Sequence, residues 1–180
     1  MYGAIFGGYY HLAYNSSNGA SHVAVLGGRE AVVDKYGHEA FSAGRHSYRG
    51  DCQKSILVGR AETLDATPTT MFLDGSPRRI IIRMHSGWAF SVYVIAAEQG
   101  MANIKVFERT GIIVSDNGVI RISTVDTVGV DRTIGAPGAW SVAITPDNTN
   151  DAMNIEVTGE AATSIRWVAR IELTESANPG

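Results

Sequence analysis

The chain has 180 residues and a net charge of −3, and 44% of its residues are hydrophobic whereas 18% are charged. This composition is typical of a globular protein, and it excludes an intrinsically disordered chain and the strong basic excess of a nucleic-acid binder. A single cysteine, Cys52, excludes an intramolecular disulfide framework. The longest nearly apolar run, residues 88–97, is about half as long as a membrane-spanning helix, so we expect no membrane insertion.

Residues 1–60 are rich in glycine and tyrosine. They contain 10 of the 20 glycines, six of the seven tyrosines and four of the five histidines. Short strands interrupted by glycine bury little apolar surface within one chain. Two interpretations follow: a stem intertwined with the same segment of neighbouring chains, or an irregular arm folded onto its own domain.

Residues 61–176 alternate apolar and polar side chains with the period of a β-strand. Strands are predicted at residues 79–84, 88–94, 103–109, 119–124, 140–145, 152–158 and 165–173, with turn signals at 74–77, 116–118, 136–138 and 146–148. We therefore predict an all-β chain: a Gly-rich intertwined stem over residues 1–60, followed by an antiparallel, jelly-roll-like β-sandwich over residues 61–176.

The acidic loop at residues 145–151 has two interpretations. Asp147, Asn148, Asn150 and Asp151 carry oxygen atoms of the kind that calcium prefers. The same residue types stabilise turns between strands by side-chain to backbone hydrogen bonds, and the EF-hand pattern is absent. We favour a turn and predict no metal and no cofactor.

The sequence contains no recognisable catalytic motif. There is no Gly-x-Ser-x-Gly elbow and no His-Glu-x-x-His, and no glycine loop precedes a helix pattern. The chain is therefore predicted not to be an enzyme, although a carboxylate pair for glycoside hydrolysis needs only a separation in space and stays open. His38, Glu39 and His46 are interpreted as surface residues of the stem, with an ion site on an oligomer axis as the alternative.

The aromatic residues suggest interfaces and a core. The N-terminal tyrosines, Tyr9, Tyr10, Tyr14, Tyr36 and Tyr48, are suited to subunit contacts or to sugar rings, and we favour subunit contacts. Trp140 and Trp167 alternate in phase with aliphatic residues and are predicted to lie in the core.

Several segments resemble the C-terminal end of tailed-bacteriophage fibre and tailspike proteins. They are residues 36–45 (YGHEAFSAGR), 50–53 (GDCQ), 63–69 (TLDATPT), 72–75 (FLDG), 139–145 (AWSVAIT), 147–152 (DNTNDA), 157–161 (VTGEA) and 165–170 (IRWVAR). Together they span about residues 36–174, and the block from residue 139 onwards is the most specific. Cys52 stands where the family favours a small residue such as alanine. The matching positions are turn and core positions, so no catalytic or sugar-binding residue is carried over.

The resemblance implies a virion protein, made in the host cytoplasm, that forms a homotrimer and joins upstream fibre or baseplate proteins. The implied function is attachment to a bacterial surface polysaccharide. Two alternatives stay open: a trimerisation or folding cap of the fibre without a ligand, and a capsule depolymerase with carboxylates between subunits.

Ligand-binding residues are expected in loops at the strand ends, where binding groups gather on a rigid scaffold. The candidate loops are residues 85–87, 98–100 and 126–132. From them we select His85, Gln99, Asp131 and Arg132 as ligand-binding residues. Asp131 and Arg132 together are expected to hydrogen-bond an acidic or hydroxylated sugar.

Overall fold

A computed structural model describes residues 3–5, 7–10, 12–13, 22–75 and 77–178. Within these ranges the chain is all-β and contains no helix, as the alternating pattern predicted. Accordingly, the described part includes no helix long and apolar enough to cross a bilayer. Tyr14 and Ser76 lie outside the described residues.

Sixteen strands are present in the described ranges. They are β1 (Gly3–Ile5), β2 (Leu12–Ala13), β3 (Val23–Arg29), β4 (Val32–Val33), β5 (Glu39–Ala43), β6 (Cys52–Thr63), β7 (Thr69–Thr70), β8 (Ile80–Ile81), β9 (Ser86–Glu98), β10 (Ile104–Asp116), β11 (Val119–Ile122), β12 (Asp126–Thr127), β13 (Arg132–Ile134), β14 (Ser141–Asp147), β15 (Ala152–Thr158) and β16 (Ile165–Ala177).

The large sheet has the strand order β1-β3-β5-β6-β16-β9-β10-β11, and β12 and β13 also pair with β10. Its centre consists of four long antiparallel strands, β6, β16, β9 and β10. Along β16 the side chains alternate between buried and exposed, as predicted from the period of two. One face of this sheet is therefore apolar and covered, whereas the other faces outwards.

The small sheet covers the apolar face. It has the order β14-β15-β7, with β8 also paired to β15. Side chains of both sheets form one core, in which Trp140 and Trp167 are buried as predicted. The indole N–H of Trp167 donates to Thr63 Oγ1 at 2.9 Å, and that of Trp140 donates to Glu160 Oε2 at 3.1 Å. Both rings are thus buried without an unpaired polar atom.

The described residues before β6 are called the N-terminal arm and include β1 to β5. The arm differs from the rest of the chain because it contains parallel strand pairs. β1 pairs with β3, and β3 with β5, in parallel, and the register of the second pair shifts between Val25 and Gly28. Gly28 has a φ of 87°, and a Cβ atom there would lie 2.1 Å from the backbone oxygen of Ser42. Only glycine fits this close approach. The arm has its own small core of Val23, Val25, Ala31, Val33 and Ala40.

The predicted division of the chain at residue 60 falls inside β6. Hydrogen bonds link β5 to β6 and β6 to β16, so the arm and the larger part share one sheet. A separate stem domain over residues 1–60 stays a prediction. The strand predicted over residues 79–84 is reduced to β8, because this segment pairs with β15 only at Ile80 and Ile81.

A buried ion pair connects the arm to the sandwich. Lys35, whose side chain is only 4% exposed, lies 2.7 Å from Asp34 Oδ1, and Arg83 Nε lies 3.0 Å from Asp34 Oδ2. Burial opposes ionisation of Asp34, but the charges of Lys35 and Arg83 and the hydrogen bond from Lys35 outweigh it and place the pKa of Asp34 well below its usual value. This carboxylate is therefore ionised throughout the neutral range.

His38 is also buried, which corrects its interpretation as a surface residue of the stem. The backbone N–H of Asp34 donates to His38 Nδ1 at 3.2 Å, so we assign the ring proton to Nε2, 2.7 Å from Ser55 Oγ. The hydroxyl of Ser55 in turn donates to Glu175. Burial lowers the pKa of His38 and keeps the imidazole neutral.

The order Asp34, His38, Ser55 is that of a catalytic triad, but its environment is structural. Ser55 is 1% exposed and its hydroxyl is bound to Glu175. A substrate cannot reach this oxygen in the described structure. The network instead holds the arm against the end of β16.

Candidate functional site: a polar cleft at the β9–β10 turn

The β9–β10 turn forms one wall of a cleft. Met101 N donates to the backbone oxygen of Glu98 at 3.0 Å, and Gly100 and Met101 adopt positive φ values of 85° and 61°. This tight backbone directs Gln99, Gly100 and Met101 into the wall. Gln99, one of the four predicted ligand-binding residues, therefore lines a cleft.

Strand register supplies the opposite wall. Arg166 of β16 pairs with Glu62 of β6 on one side and with Ala97 of β9 on the other, so the three side chains share one face at one end of the sheet. Ser164 follows this row just before β16 begins. These residues come from three chain segments that are far apart in the sequence.

Polar contacts fix the side chains of the cleft. Ser164 Oγ donates to Glu62 Oε1 at 3.0 Å, and Arg166 Nε lies 3.7 Å from the same oxygen. Across the cleft, the side-chain amide of Asn103 donates to the carboxylate of Glu98. The backbone N–H of Gln99 donates to the backbone oxygen of Ser164 at 3.3 Å, which connects the turn to the opposite wall.

The cleft has a volume of about 240 Å³. Its polar groups include two carboxylates, one guanidinium, one amide and one hydroxyl, and they accept and donate hydrogen bonds in several directions. Arg166 is 82% exposed and Glu62 49% exposed, so both reach solvent at the mouth. This arrangement can bind a molecule that carries many hydroxyl groups.

The four predicted ligand-binding residues do not converge. His85 precedes β9 and Gln99 follows it, so the thirteen residues of that strand separate them, a distance of about 40 Å at the rise of a β-strand. His85 is half-buried, and its Nδ1 lies 4.0 Å from Asp116 Oδ1. The assignments of His85 and Gln99 as ligand residues stay predictions.

Asp131 and Arg132 have different surroundings. Asp131 forms a two-point ion pair with Arg109, with distances of 2.8 and 3.2 Å, at the edge of β10. Arg132 is exposed in β13, opposite Val106. The carboxylate of Asp131 is thus committed to Arg109, whereas Arg132 is open to solvent. Their joint contact with a sugar stays a prediction.

Sequence reasoning did not find Glu62, Ser164 and Arg166. Each lies on a polar position of a strand or in a turn, where a solvated role is the default. The signal that identifies them is the antiparallel register of β6, β16 and β9, which the alternation of residues does not encode.

The acidic loop forms a turn, as favoured by the sequence. Asp147 Oδ1 accepts hydrogen bonds from the backbone N–H groups of Thr149 and Asn150 at 3.1 Å, and Asp147 Oδ2 binds Arg79 at 3.0 Å. No group of three or more His, Cys, Asp or Glu side chains in the described ranges is placed to hold a metal ion. The carboxylate oxygens of Asp147 are already used within the protein.

The outward face of the large sheet carries exposed apolar side chains. One row of cross-strand partners runs over five strands and consists of Phe41, Lys54, Thr174, Ala89 and Ile112. A second row runs through Val168, Ile95 and Val106. Large apolar groups are exposed in these rows and beside them, namely Phe41, Val58, Ile95, Ile112 and Val168. We call this surface the outer face. Large exposed apolar side chains that share one sheet face are typical of contact sites.

Comparison with known proteins gives matches among solved structures. No protein-family model matches the chain, and no curated protein matches it. Three similar structures are tailspike proteins of Acinetobacter phages. The tailspike of Acinetobacter baumannii bacteriophage Fri1 has a TM-score of 0.41 and 8% identity, and the match covers 87% of this chain and 29% of that chain. For the tailspike of A. baumannii phage AM24 the TM-score is 0.40 and the identity 12%, with 92% of this chain and 36% of that chain covered, and for the tailspike of Acinetobacter phage vB_ApiP_P1 the TM-score is 0.31 and the identity 17%, with 93% and 38% covered. The chain spans about a third of the length of each of these structures.

One sequence-based expectation is corrected by this comparison. The lack of a catalytic motif predicted a protein that is not an enzyme, whereas the Fri1 tailspike is described as a capsular polysaccharide depolymerase. The physical reason for the error is that glycoside hydrolysis requires two carboxylates at a suitable separation in space and no linear motif. A missing motif is therefore no basis for the expectation.

Proposed function

We propose that this chain is the distal part of a phage tail fibre or tailspike, located in the virion, and that it binds a bacterial surface polysaccharide in the cleft at the β9–β10 turn. The observation that carries the proposal is the cleft itself, in which amide, hydroxyl, carboxylate and guanidinium groups from three segments face one space. Sugar hydroxyls both donate and accept hydrogen bonds, and this mixture matches them. The segments that resemble tail fibres in the sequence support the same assignment.

The size of the cleft is consistent with a short part of a polysaccharide. Its volume of about 240 Å³ is below the ~300–1,000 Å³ of sites for drug-sized ligands. Single contacts of this size are weak, and several copies of the chain on one fibre would strengthen attachment by multivalency.

Loss of the polar groups at the mouth of the cleft is expected to weaken binding. For Gln99→Ala and for Arg166→Ala we expect an increase in Kd of about tenfold each, because a hydrogen bond to a sugar hydroxyl is lost in a partly enclosed site. The measurement is biolayer interferometry of the purified chain on capsular polysaccharides isolated from a panel of encapsulated strains.

Arg121→Ala is the matched control, because Arg121 is an exposed arginine that binds Asp116 at the far edge of the sheet. It should bind as the unmodified chain does. If both cleft variants also keep full affinity while polysaccharide binding persists, the cleft is not the site. If no polysaccharide in the panel binds and the chain still assembles fibres, the alternative of a folding cap is favoured.

Cleavage of the bound polysaccharide is the second candidate function. The observation that favours it is the presence of two carboxylates, Glu62 and Glu98, in the same cleft. Release of reducing sugar ends, measured in the binding reactions, tests it. Glu62→Gln and Glu98→Gln should abolish this release and leave a binding-competent chain if these carboxylates act in hydrolysis.

We further propose a homotrimer in which neighbouring copies cover the outer face and upstream fibre or baseplate proteins hold the assembly. Exposed apolar groups on this face support the proposal. The cleft lies at one end of the outer face, because the last row of cross-strand partners on that face consists of Glu62, Arg166 and Ala97. A second copy packed there would add its own residues to the cleft.

Sedimentation equilibrium is expected to give about three times 19.3 kDa for the purified chain. Val168→Lys combined with Ile95→Lys should shift the mass towards one chain, because it places two charges in an apolar contact. Arg170→Lys, on the same face, is the control and should keep the larger mass. A monomer of the unmodified chain at micromolar concentration would contradict the proposal.

A further inference from the structure

A surface on the N-terminal arm combines aromatic rings with guanidinium groups, and the proposed function does not use it. We call it the arm surface, and it consists of Tyr9, Tyr10, Arg29, Arg45, Tyr48 and Arg49. The backbone brings its parts together: Tyr9 N donates to the Gly28 oxygen at 3.1 Å, and Glu30 N donates to the Tyr9 oxygen at 2.9 Å.

The aromatic rings of the arm surface lie against one another and against the guanidinium of Arg49. The rings of Tyr9 and Tyr10 meet edge to face with centroids 4.0 Å apart, and the guanidinium of Arg49 lies 5.5 Å from the centroid of Tyr10. Both tyrosines and Tyr48 are more than half exposed. Flat apolar faces with polar tips are suited to contact with sugar rings.

A buried carboxylate positions two more arginines. Glu30 is 3% exposed, and the Nε atoms of Arg29 and Arg45 lie 3.8 and 3.3 Å from its oxygens. Alignment with Arg45 is poor, so Glu30 Oε2 accepts no hydrogen bond within the described structure and attracts the guanidiniums by charge. The contact recorded for each arginine with Glu30 is through Nε, and no hydrogen bond joins an Nη group of either arginine to a described residue.

The loop that carries Tyr48 and Arg49 is fixed in place. The carboxylate of Asp51 accepts hydrogen bonds from the backbone N–H groups of His46, Ser47 and Tyr48 at 3.0, 2.6 and 2.7 Å. Burial opposes ionisation of Asp51, and these three donors overcome it and lower its pKa below the usual value. A fixed loop loses little conformational entropy when a ligand binds.

The arm surface and the cleft have opposite charge and lie far apart. The cleft contains two carboxylates and one guanidinium. The arm surface contains three guanidiniums, two of them beside the buried carboxylate of Glu30 and the third, that of Arg49, beside the Tyr10 ring. Arg166 and Ser176 mark the two ends of β16, and Ser176 pairs with Cys52, beside the loop of the arm surface. Ten residues of strand separate these ends, which corresponds to about 33 Å.

We propose that the arm surface binds a sugar residue that carries a carboxylate group. Guanidinium groups donate paired hydrogen bonds to a carboxylate, and the tyrosine rings pack against the sugar ring. This site is independent of the cleft, whose carboxylates repel an acidic sugar. An acidic polysaccharide would therefore contact the chain first through the arm.

Isothermal titration calorimetry with two hexasaccharides tests the proposal. The probes are hexagalacturonate, which is acidic, and maltohexaose, which is neutral. For the unmodified chain we expect tighter binding of hexagalacturonate and a loss of that preference as the salt concentration rises. Arg45→Gln combined with Arg49→Gln is expected to raise the Kd for hexagalacturonate at least tenfold.

Control variants separate the outcomes. Arg121→Gln removes an exposed arginine elsewhere and should leave the Kd for hexagalacturonate unchanged. Equal affinity of the double variant and the unmodified chain, equal affinity for the two probes, or no binding of hexagalacturonate would overturn the proposal. A fall in sedimentation mass in the double variant would identify the arm surface as a contact between copies and would also overturn it. Failure of the cleft variants alone would affect only the proposed function.

Discussion

Replacing Trp167 with alanine is expected to lower the free energy of unfolding by about 3–5 kcal/mol, the usual cost of removing a buried aromatic side chain. Trp167 is fully buried at the centre of the core, with ring centroids 6.0 Å from Phe107 and 6.2 Å from Trp140. Its loss also leaves the Thr63 hydroxyl without the N–H donor that it accepts from. Urea denaturation followed by circular dichroism measures the change.

The neighbouring residue provides the control for this prediction. Arg166→Ala removes a side chain that is 82% exposed, and the free energy of unfolding should change by about 0.5 kcal/mol or less. A Trp167→Ala variant that unfolds at the same urea concentration as the unmodified chain would mean that the phase of β16 is wrong.

Replacing Asp34 with asparagine is expected to destabilise the fold by about 3–5 kcal/mol at pH 7, because it leaves the buried ammonium of Lys35 without its counter-charge. Arg83 also loses its partner on the arm. Adding Lys35→Met should restore much of the lost stability, since replacing both members of a buried pair removes the unpaired charge. Urea denaturation of the single and double variants measures both effects.

The destabilisation by Asp34→Asn should depend on pH with a defined sign. The folded pKa of Asp34 is lowered, so its contribution is fully present above the pKa of an unfolded aspartate, about 3.9. That contribution is lost as the pH falls below this value towards the folded pKa. The stability difference between the unmodified chain and the variant should therefore shrink between about pH 4 and pH 2. A difference that stays constant down to pH 2 would contradict the role assigned to the carboxylate.

Much of the sandwich could be predicted because its strands repeat with a period of two. The predicted strands at residues 88–94 and 165–173 are present. Alternate residues in them are buried, namely Trp88, Phe90, Val92 and Val94 in the first and Ile165, Trp167 and Leu173 in the second. Strand β10 extends past the predicted end at residue 109 to Asp116, because β9 offers a hydrogen-bonding partner along this whole length. β-propensity alone predicts a shorter strand than the one that forms along a long partner strand.

The candidate site was predicted only in part. Gln99 was selected because loops at strand ends are exposed, and it lines the cleft. Glu62 and Arg166 were not selected, since a polar residue on a strand carries no sign of its partners across the sheet. Selection of Asp131 did not anticipate Arg109, which lies 22 residues away in the sequence and binds its carboxylate.

The sequence by itself determined the all-β class, the buried face of each long strand and the turn at Asp147, because alternation and turn chemistry act between residues close in the chain. Only the tertiary structure decided the order of strands in the large sheet, the parallel pairs of the arm and the burial of His38 beside Ser55. It also decided that Glu62, Arg166 and Gln99 share one cleft, and that three arginines and three tyrosines share the arm surface. These features depend on which distant segments pair. Pairing is selected by the free energy of the whole core, and no local pattern records it.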